Sequence, residues 1–312
     1  MKLIDIAILE NIKGLGPANM MKIINYSKEN NIKDLYDLRD ANISKIINKK
    51  LLNVIKTYLD TDIENLYKNM QSILNKYTDN NIQCISIIDN LYPSILKEST
   101  TPPAILYYKG DINLLKTKCV AVIGTRNNTD FGKKITQKTV DFLLKNNFTI
   151  VSGLAKGIDE ISHQRTIEKK GKTIAIVPLI DKIYPSSNQQ LAQDILDNNG
   201  LLISEVKPNT PFHASQLVKR DRIQSGLSKA VFVIETSQNG GSMYATKDAL
   251  KLKRPVFTPN IYKLNSSYQE YEQVQGIKYL INEKKSIPYT SSNYEEIKQK
   301  LLQDTTKEGC LL

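Results

Sequence analysis

The chain changes texture near residue 80. Before it, apolar residues recur at three- and four-residue spacings, as in Ile43-Ile46-Ile47 and Leu51-Val54-Ile55-Leu59. That period lays one side of a helix against a core, so residues 1–78 read as a small helical domain. After it come short, continuous apolar runs at 82–88, 104–108, 119–123, 148–151, 173–177, 200–204, 230–234 and 255–257. Runs of this length, stopped by Gly, Pro or Asn, fit strands buried on both faces. Helical patterns fall between them, at about 132–145, 157–169, 188–198 and 243–252. The alternation predicts an α/β domain over 79–285, with a mostly parallel sheet covered on both faces and right-handed crossovers. Residues 286–312 read as a polar C-terminal tail, with one short helix over 294–302.

One turn stands out in the helical part. Ile12-Lys13-Gly14-Leu15-Gly16-Pro17 separates two apolar-periodic segments, and Pro17 suits the first turn of a helix. A helix–Gly-x-Gly–helix unit resembles the helix-hairpin-helix that holds nucleic-acid phosphate on backbone amides. An ordinary turn inside a helical bundle accounts for the same string.

Two further glycine turns follow strands directly. Gly124-Thr125-Arg126 follows the run at 119–123, and Ser152-Gly153-Leu154-Ala155-Lys156-Gly157-Ile158-Asp159 follows the run at 148–151. In a parallel sheet all such turns meet at one edge. Helix N-termini there present unpaired N–H groups and partial positive charge to an anion. Arg126 offers a guanidinium that forks onto phosphate oxygens. Lys156 opens a helix, where a cation is unfavourable unless an anion offsets it. Ser152 and Asp159 fit turn and cap roles. A third basic element is Lys219-Arg220-Asp221-Arg222, and Gly240-Gly241-Ser242 forms another loop opening a helix. The expectation is a phosphate-reading groove.

Composition narrows the reading. The 312 residues are 40% hydrophobic, enough for a core, and carry a net charge of +11. A polyanionic partner fits that charge, although an AT-rich genome alone can produce a chain this rich in Lys, Asn and Ile. No apolar stretch approaches a membrane span. The first ten residues hold an acid at Asp5 and no small-residue cleavage site, so no signal peptide is expected. Cys84, Cys119 and Cys310 are scattered, which suits a reducing, cytoplasmic setting. The first glycine turn lacks the Gly-x-Gly-x-x-Gly string and the ribose-binding acid of a dinucleotide fold. No P-loop string occurs. Two histidines, His163 and His213, make neither a metal set nor a nucleophilic constellation. No catalytic residue, cofactor or metal is expected.

Together these strings resemble the DNA-processing protein A family (DprA, also called Smf). The ordered matches are Tyr92-Pro93, Pro102-Pro103-Ala104, Gly124-Thr125-Arg126, the 152–159 turn, His163, Ile183-Tyr184-Pro185, Ser204-Glu205, Lys219-Arg220-Asp221-Arg222-Ile223, Gly226-Leu227-Ser228 and Gly241-Ser242. The resemblance implies a Rossmann-like domain that binds single-stranded DNA in a basic groove. It is preceded by a small all-α domain of helix-hairpin-helix or SAM-like type. It implies protection of incoming DNA in natural transformation, loading of the RecA recombinase, and a homodimer. Carried over by position, Arg126, Lys156, Lys219, Arg220 and Arg222 contact DNA, and Gly124, Thr125, Ser152, Gly153, Gly241 and Ser242 shape the pocket. The chain departs from the family where Leu217-Val218 replaces Phe-Pro, Asp221 replaces Asn, Pro178-Leu179-Ile180-Asp181 replaces a glycine-rich turn, and Asn260 replaces a common glycine. Two alternatives stay open. One is a nucleotide sensor or a nucleoside-monophosphate base-releasing enzyme, with Glu235 as its acid. The other is an adaptor whose recombinase contact matters more than its DNA site.

Overall fold

Each central strand is buried on both sides, which is why its sequence is an unbroken apolar run. The computed structural model describes residues 1–264 and 266–303. Among these, nine strands form one sheet: β1 (Gln83–Ser86), β2 (Ile105–Gly110), β3 (Cys119–Ile123), β4 (Thr149–Ser152), β5 (Thr173–Ile176), β6 (Leu201–Ser204), β7 (Val231–Val233), β8 (Val256–Pro259) and β9 (Ile287–Tyr289). Their spatial order is β1-β2-β6-β5-β4-β3-β7-β8-β9. Parallel pairing runs from β6 through β3 to β9. β1 and β2 finish one edge antiparallel, with Cys84 opposite Tyr107 and Tyr107 opposite Ser204. This is the expected Rossmann-like α/β sheet.

Five helices precede the sheet: α1 (Leu3–Leu9), α2 (Pro17–Glu29), α3 (Leu35–Asp40), α4 (Lys49–Leu59) and α5 (Ile63–Asp79). The Gly-x-Gly turn forms as read, with Gly14 at φ +87° and Gly16 capping α2 ahead of Pro17. These helices lean on the β1–β2 edge. Tyr107 Oη donates to Glu10 Oε2 at 2.6 Å, and Lys207 Nζ donates to Asn11 Oδ1 at 2.6 Å. Short α6 (Ser94–Lys97) lies between β1 and β2.

Helices also link the parallel strands. They are α7 (Asp130–Lys145), α8 (Ile158–Glu168), α9 (Gln189–Asp197), α10 (Ser215–Leu227), α11 (Ser242–Lys251) and α12 (Gln275–Asn282), with α13 (Tyr294–Leu302) after β9. Period-two alternation along β3 divides the core. Val120 and Val122 meet Val140 and Leu143 of α7 and Ile297 and Leu301 of α13. Ala121 and Ile123 face the other side, with Ile223 and Leu227 of α10 and Ala245 and Ala249 of α11.

Polar texture after residue 285 predicts a tail, yet β9 pairs in parallel with β8 and buries Tyr289. The Tyr289 ring packs edge-on against Phe232, with centroids 5.4 Å apart, and its hydroxyl lies 2.6 Å from Thr139 Oγ1. A three-residue strand containing Pro288 is too short to show a run, and an edge position tolerates the missing N–H. The end of the expected tail, 304–312 with Cys310, lies outside the described residues. Among the described residues no helix is long and apolar enough to cross a membrane.

Candidate functional site

Strand order creates the site. From β3 the chain lays down β4, β5 and β6 on one side, then returns to the other side with β7, β8 and β9. The loops leaving β3 and β7 diverge, and a crevice opens between them at the C-terminal edge of the strands. A cavity of about 390 Å³ lies there. Gly124, Thr125 and Arg126 line it from the β3 side, and Thr236, Gly241 and Ser242 from the β7 side. Helix α10 closes it with Leu217, Arg220, Asp221 and Gln224, spaced three and four apart so that they share one face. A smaller cavity of about 220 Å³ adjoins it and is lined by Arg126, Ala155, Lys156, Leu217 and Arg220.

The turn carrying Arg126 is wedged in place. A Cβ on Gly124 would stand 2.5 Å from Ile158 Cγ1 and 2.9 Å from Glu235 O. Thr125 N–H donates to Glu235 O at 2.7 Å, and Ile158 N–H donates to Thr125 O at 3.2 Å. Gly157, at φ +79°, packs its bare Cα against the Thr125 and Arg126 carbonyls. Arg126 and Lys156 are both exposed, so a hydrogen-bonded backbone presents their cationic ends to solvent.

The amides of the second turn serve the chain itself. Gly153 and Ala155 N–H groups donate to Asp159 Oδ2, at 3.1 and 3.4 Å. The expected amide cradle for phosphate is therefore occupied by the α8 carboxylate, which also favours the positive helix end. Ser152 does not reach the cavity. It is fully buried, and its hydroxyl donates to Val122 O at 2.7 Å. Gly153 acts indirectly, because a Cβ there would fall 1.1 Å from Arg220 Nη1.

Of the three cations at 219–222, one faces the cavity. A helix turns about 100° per residue, so Lys219 and Arg222 point away from the face carrying Leu217, Arg220, Asp221 and Gln224. Lys219 is exposed. Arg222 forks onto Glu205 with both Nη atoms at 2.5 Å, while its Nε donates to Thr101 O and Oγ1 at 3.1 Å. It clamps α10 to β6 and to the loop before β2. The basic run read as one patch is thus split by helical geometry, and neither Lys219 nor Arg222 lines the cavity.

Arg220 is buried and neutralised. Its Nε is 3.1 Å from Asp221 Oδ1, its Nη1 is 3.8 Å from Asp159 Oδ2, and Nη1 also donates to Ile176 O at 3.3 Å. Burial raises the pKa of Asp159, against the pull of Arg220. Burial pushes Asp221 up to about 7. Arg220 and a hydrogen bond from Gln224 oppose that shift, while Asp159 and Asp248 reinforce it. Below the cavity, burial and then the Arg220 charge push His163 down to about 3, so the imidazole is neutral. Thr173 Oγ1 gives its hydrogen to Ile150 O at 3.0 Å, so it accepts from His163 Nδ1–H at 2.7 Å. That histidine is a core residue.

Glu235 is equally committed to structure. One carboxylate oxygen accepts from Thr129 N–H at 2.9 Å. The other accepts from Thr129 Oγ1 at 2.5 Å and Tyr268 Oη at 2.7 Å. It seals the N-terminus of α7, where a Cβ on Gly132 would strike it at 2.2 Å. It is not among the residues lining the cavity, so it does not fit the acid of a base-releasing enzyme. Burial pushes the Cys84 and Cys119 thiols up to about 11 and about 12. Among the described residues no cluster of His, Cys, Asp or Glu has the makings of a metal site.

The sequence puts Gly157 in the second glycine turn without giving it a role of its own, and it has no way to place Thr236 and Gln224 at the site. For Gly157 the available signal was a glycine immediately before a helix with acids at its second and third positions. For Thr236 and Gln224 nothing local marks them, since strand order and helix face decide their positions.

Known proteins share this architecture. The DNA processing protein DprA of Bacillus subtilis is 37% identical over 201 residues, covering 64% of this chain and 67% of that protein. The DNA processing protein DprA of Streptococcus pneumoniae is 39% identical over 173 residues, 55% of this chain and 61% of that protein. The chain thus spans about two thirds or less of these relatives in sequence. The X-ray structure of the Streptococcus pneumoniae protein matches with a TM-score of 0.78 at 30% identity, covering 95% of this chain and 98% of that one. A structure of DNA processing protein A from Helicobacter pylori, described for its single-stranded DNA binding mode, matches with a TM-score of 0.61 at 29% identity, covering 71% and 95%. Residues 83–300, the span from β1 into α13 that carries the whole sheet and the cavity, match the model for DNA recombination-mediator protein A, and the chain belongs to that family.

Proposed function

We propose that this chain binds single-stranded DNA along the C-terminal edge of its sheet. The strand's phosphates pass Arg126 and Lys156, and Gly124, Thr125, Gly241 and Ser242 shape the floor beneath them. The observation that carries this reading is the placement of Arg126: exposed, on a wedged turn, lining both cavities at once. Guanidinium and ammonium groups displace counterions from a polyanion, and no reacting group is needed for that. The Helicobacter pylori relative supports the choice of ligand. Within the same reading the protein protects incoming DNA, loads a RecA recombinase on it, and acts in the cytoplasm as a homodimer.

Replacing Arg126 by Ala is expected to weaken oligo-dT binding by about 1–3 kcal/mol, the range for a charge-assisted hydrogen bond. The affinity of the native chain should fall with salt at a log–log slope of roughly −0.7 per phosphate contacted. Fluorescence anisotropy across a salt series reads both. A flat salt response, or native affinity in the Arg126 variant, sinks the proposal.

Asp221 adds a dependence on pH. Its carboxyl, pushed up to about 7, places one more negative charge in the cavity as pH rises from 6 to 8. Binding of an anionic strand should weaken over that interval by about threefold to tenfold, since one linked proton changes affinity by at most tenfold per unit. The Asp221→Asn variant should lose that slope. An unchanged slope in the variant would place the titrating group elsewhere.

A further inference from the structure

Beside the cationic edge lies an aromatic pair that phosphate contacts leave unused. Tyr184, between β5 and α9, and Phe212, between β6 and α10, stack with ring centroids 4.3 Å apart and planes 22° apart. Stacked rings belong in cores, yet these are 39% and 37% exposed. Their loops are held in place. Asn209 N–H donates to Asp181 Oδ2 at 2.6 Å, joining the two loops, and Asn188 Nδ2 donates to Leu154 O at 3.0 Å, joining the Tyr184 loop to the turn before α8. Tyr184 shares the 220 Å³ cavity with Arg126 and Lys156. Cationic ends suited to phosphate and apolar ring faces thus stand side by side on fixed backbone.

We propose that the Tyr184–Phe212 pair is a stacking platform for an unpaired nucleobase of the strand whose phosphates Arg126 and Lys156 hold. It rests on the single-stranded DNA reading and adds a way to tell that strand from duplex. Every base has a π-face, so the platform accepts any sequence. A duplex keeps those faces inside its own stack and offers only phosphate.

Two strands of equal length test it: oligo-dT, and an abasic phosphodiester strand with the same number of phosphates. The native chain should bind oligo-dT about tenfold more tightly than the abasic strand. The double variant Tyr184→Ala, Phe212→Ala should lose about that factor on oligo-dT, keep its affinity for the abasic strand, and so bring the ratio near one. The chain has no Trp, so Phe212→Trp supplies a single reporter whose emission oligo-dT should quench and the abasic strand should not. Equal affinity of the native chain for both strands would overturn the platform, and so would a double variant that keeps the preference or loses both affinities alike. Absence of native binding to either strand would remove the underlying DNA reading as well, a different pattern from those.

Discussion

Arg220→Ala is expected to cost about 3–5 kcal/mol of folding stability at pH 8, the usual result of removing one partner from a buried ion pair. The loss should be clearly smaller at pH 5. Arg220 is 5% exposed and lies between the carboxylates of Asp159 and Asp221. Without it, two buried acids face each other with no cation between them. Burial already raises both pKa values, and loss of Arg220 raises them further. An acid whose folded pKa lies above its unfolded value of about 4 supports folding at low pH and loses that support as pH climbs through the folded pKa. The deficit therefore opens between pH 5 and pH 8. Adding Asp221→Asn should recover part of it at pH 8, as a double-mutant cycle would show. Gly153→Ala should reproduce the same pH-dependent loss, because its new methyl takes the space of the guanidinium. Urea denaturation at the two pH values decides. An equal loss at both, with no recovery, would mean that Arg220 acts by packing and not by charge.

That ion cluster also explains where the sequence was opaque. The central strands were legible because burial on both faces leaves no polar position to interrupt them. Helix α13 emerged over the stretch read for it, 294–302. Helix α10 showed no apolar period, since its buried face holds Gln216, Arg220, Asp221 and Gln224 beside Ile223 and Leu227. A helix that turns polar groups into a cavity looks, in sequence, like a solvated charge run. That Arg126 and Lys156 stand at the C-terminal edge of the sheet was legible because each lies on a glycine turn that leaves a strand. Ser152 misled because its hydroxyl satisfies Val122 O inside the sheet. The crevice itself depends on β7 returning beside β3, a non-local pairing that no window of sequence contains.

Gly157→Ala tests whether backbone geometry, rather than charge alone, makes the site. Gly157 adopts φ +79° and ψ −124°, a region that glycine enters at little cost and other residues enter only under strain of about 1–3 kcal/mol. Its Cβ would also stand 2.5 Å from Thr125 O and 2.7 Å from Arg126 O. Backbone carbonyls have no rotamer with which to yield, so either the β3 turn moves or α8 retreats. Overpacking of this kind adds about 1–3 kcal/mol. The expected total is a stability loss of about 2–6 kcal/mol. Oligo-dT affinity should fall at least as far as in Arg126→Ala, because Arg126 and Lys156 flank the displaced contact and shift together. Gly16→Ala is the matched control, since a Cβ there meets nothing within 4 Å and its φ of −77° suits any residue. Urea denaturation separates lost folding from lost grip, and anisotropy on the folded fraction measures the grip. A Gly157→Ala chain with native stability that still holds oligo-dT as tightly as the native chain would show that Arg126 finds the strand without the wedge, and that the two glycine turns are coupled in space but not in function.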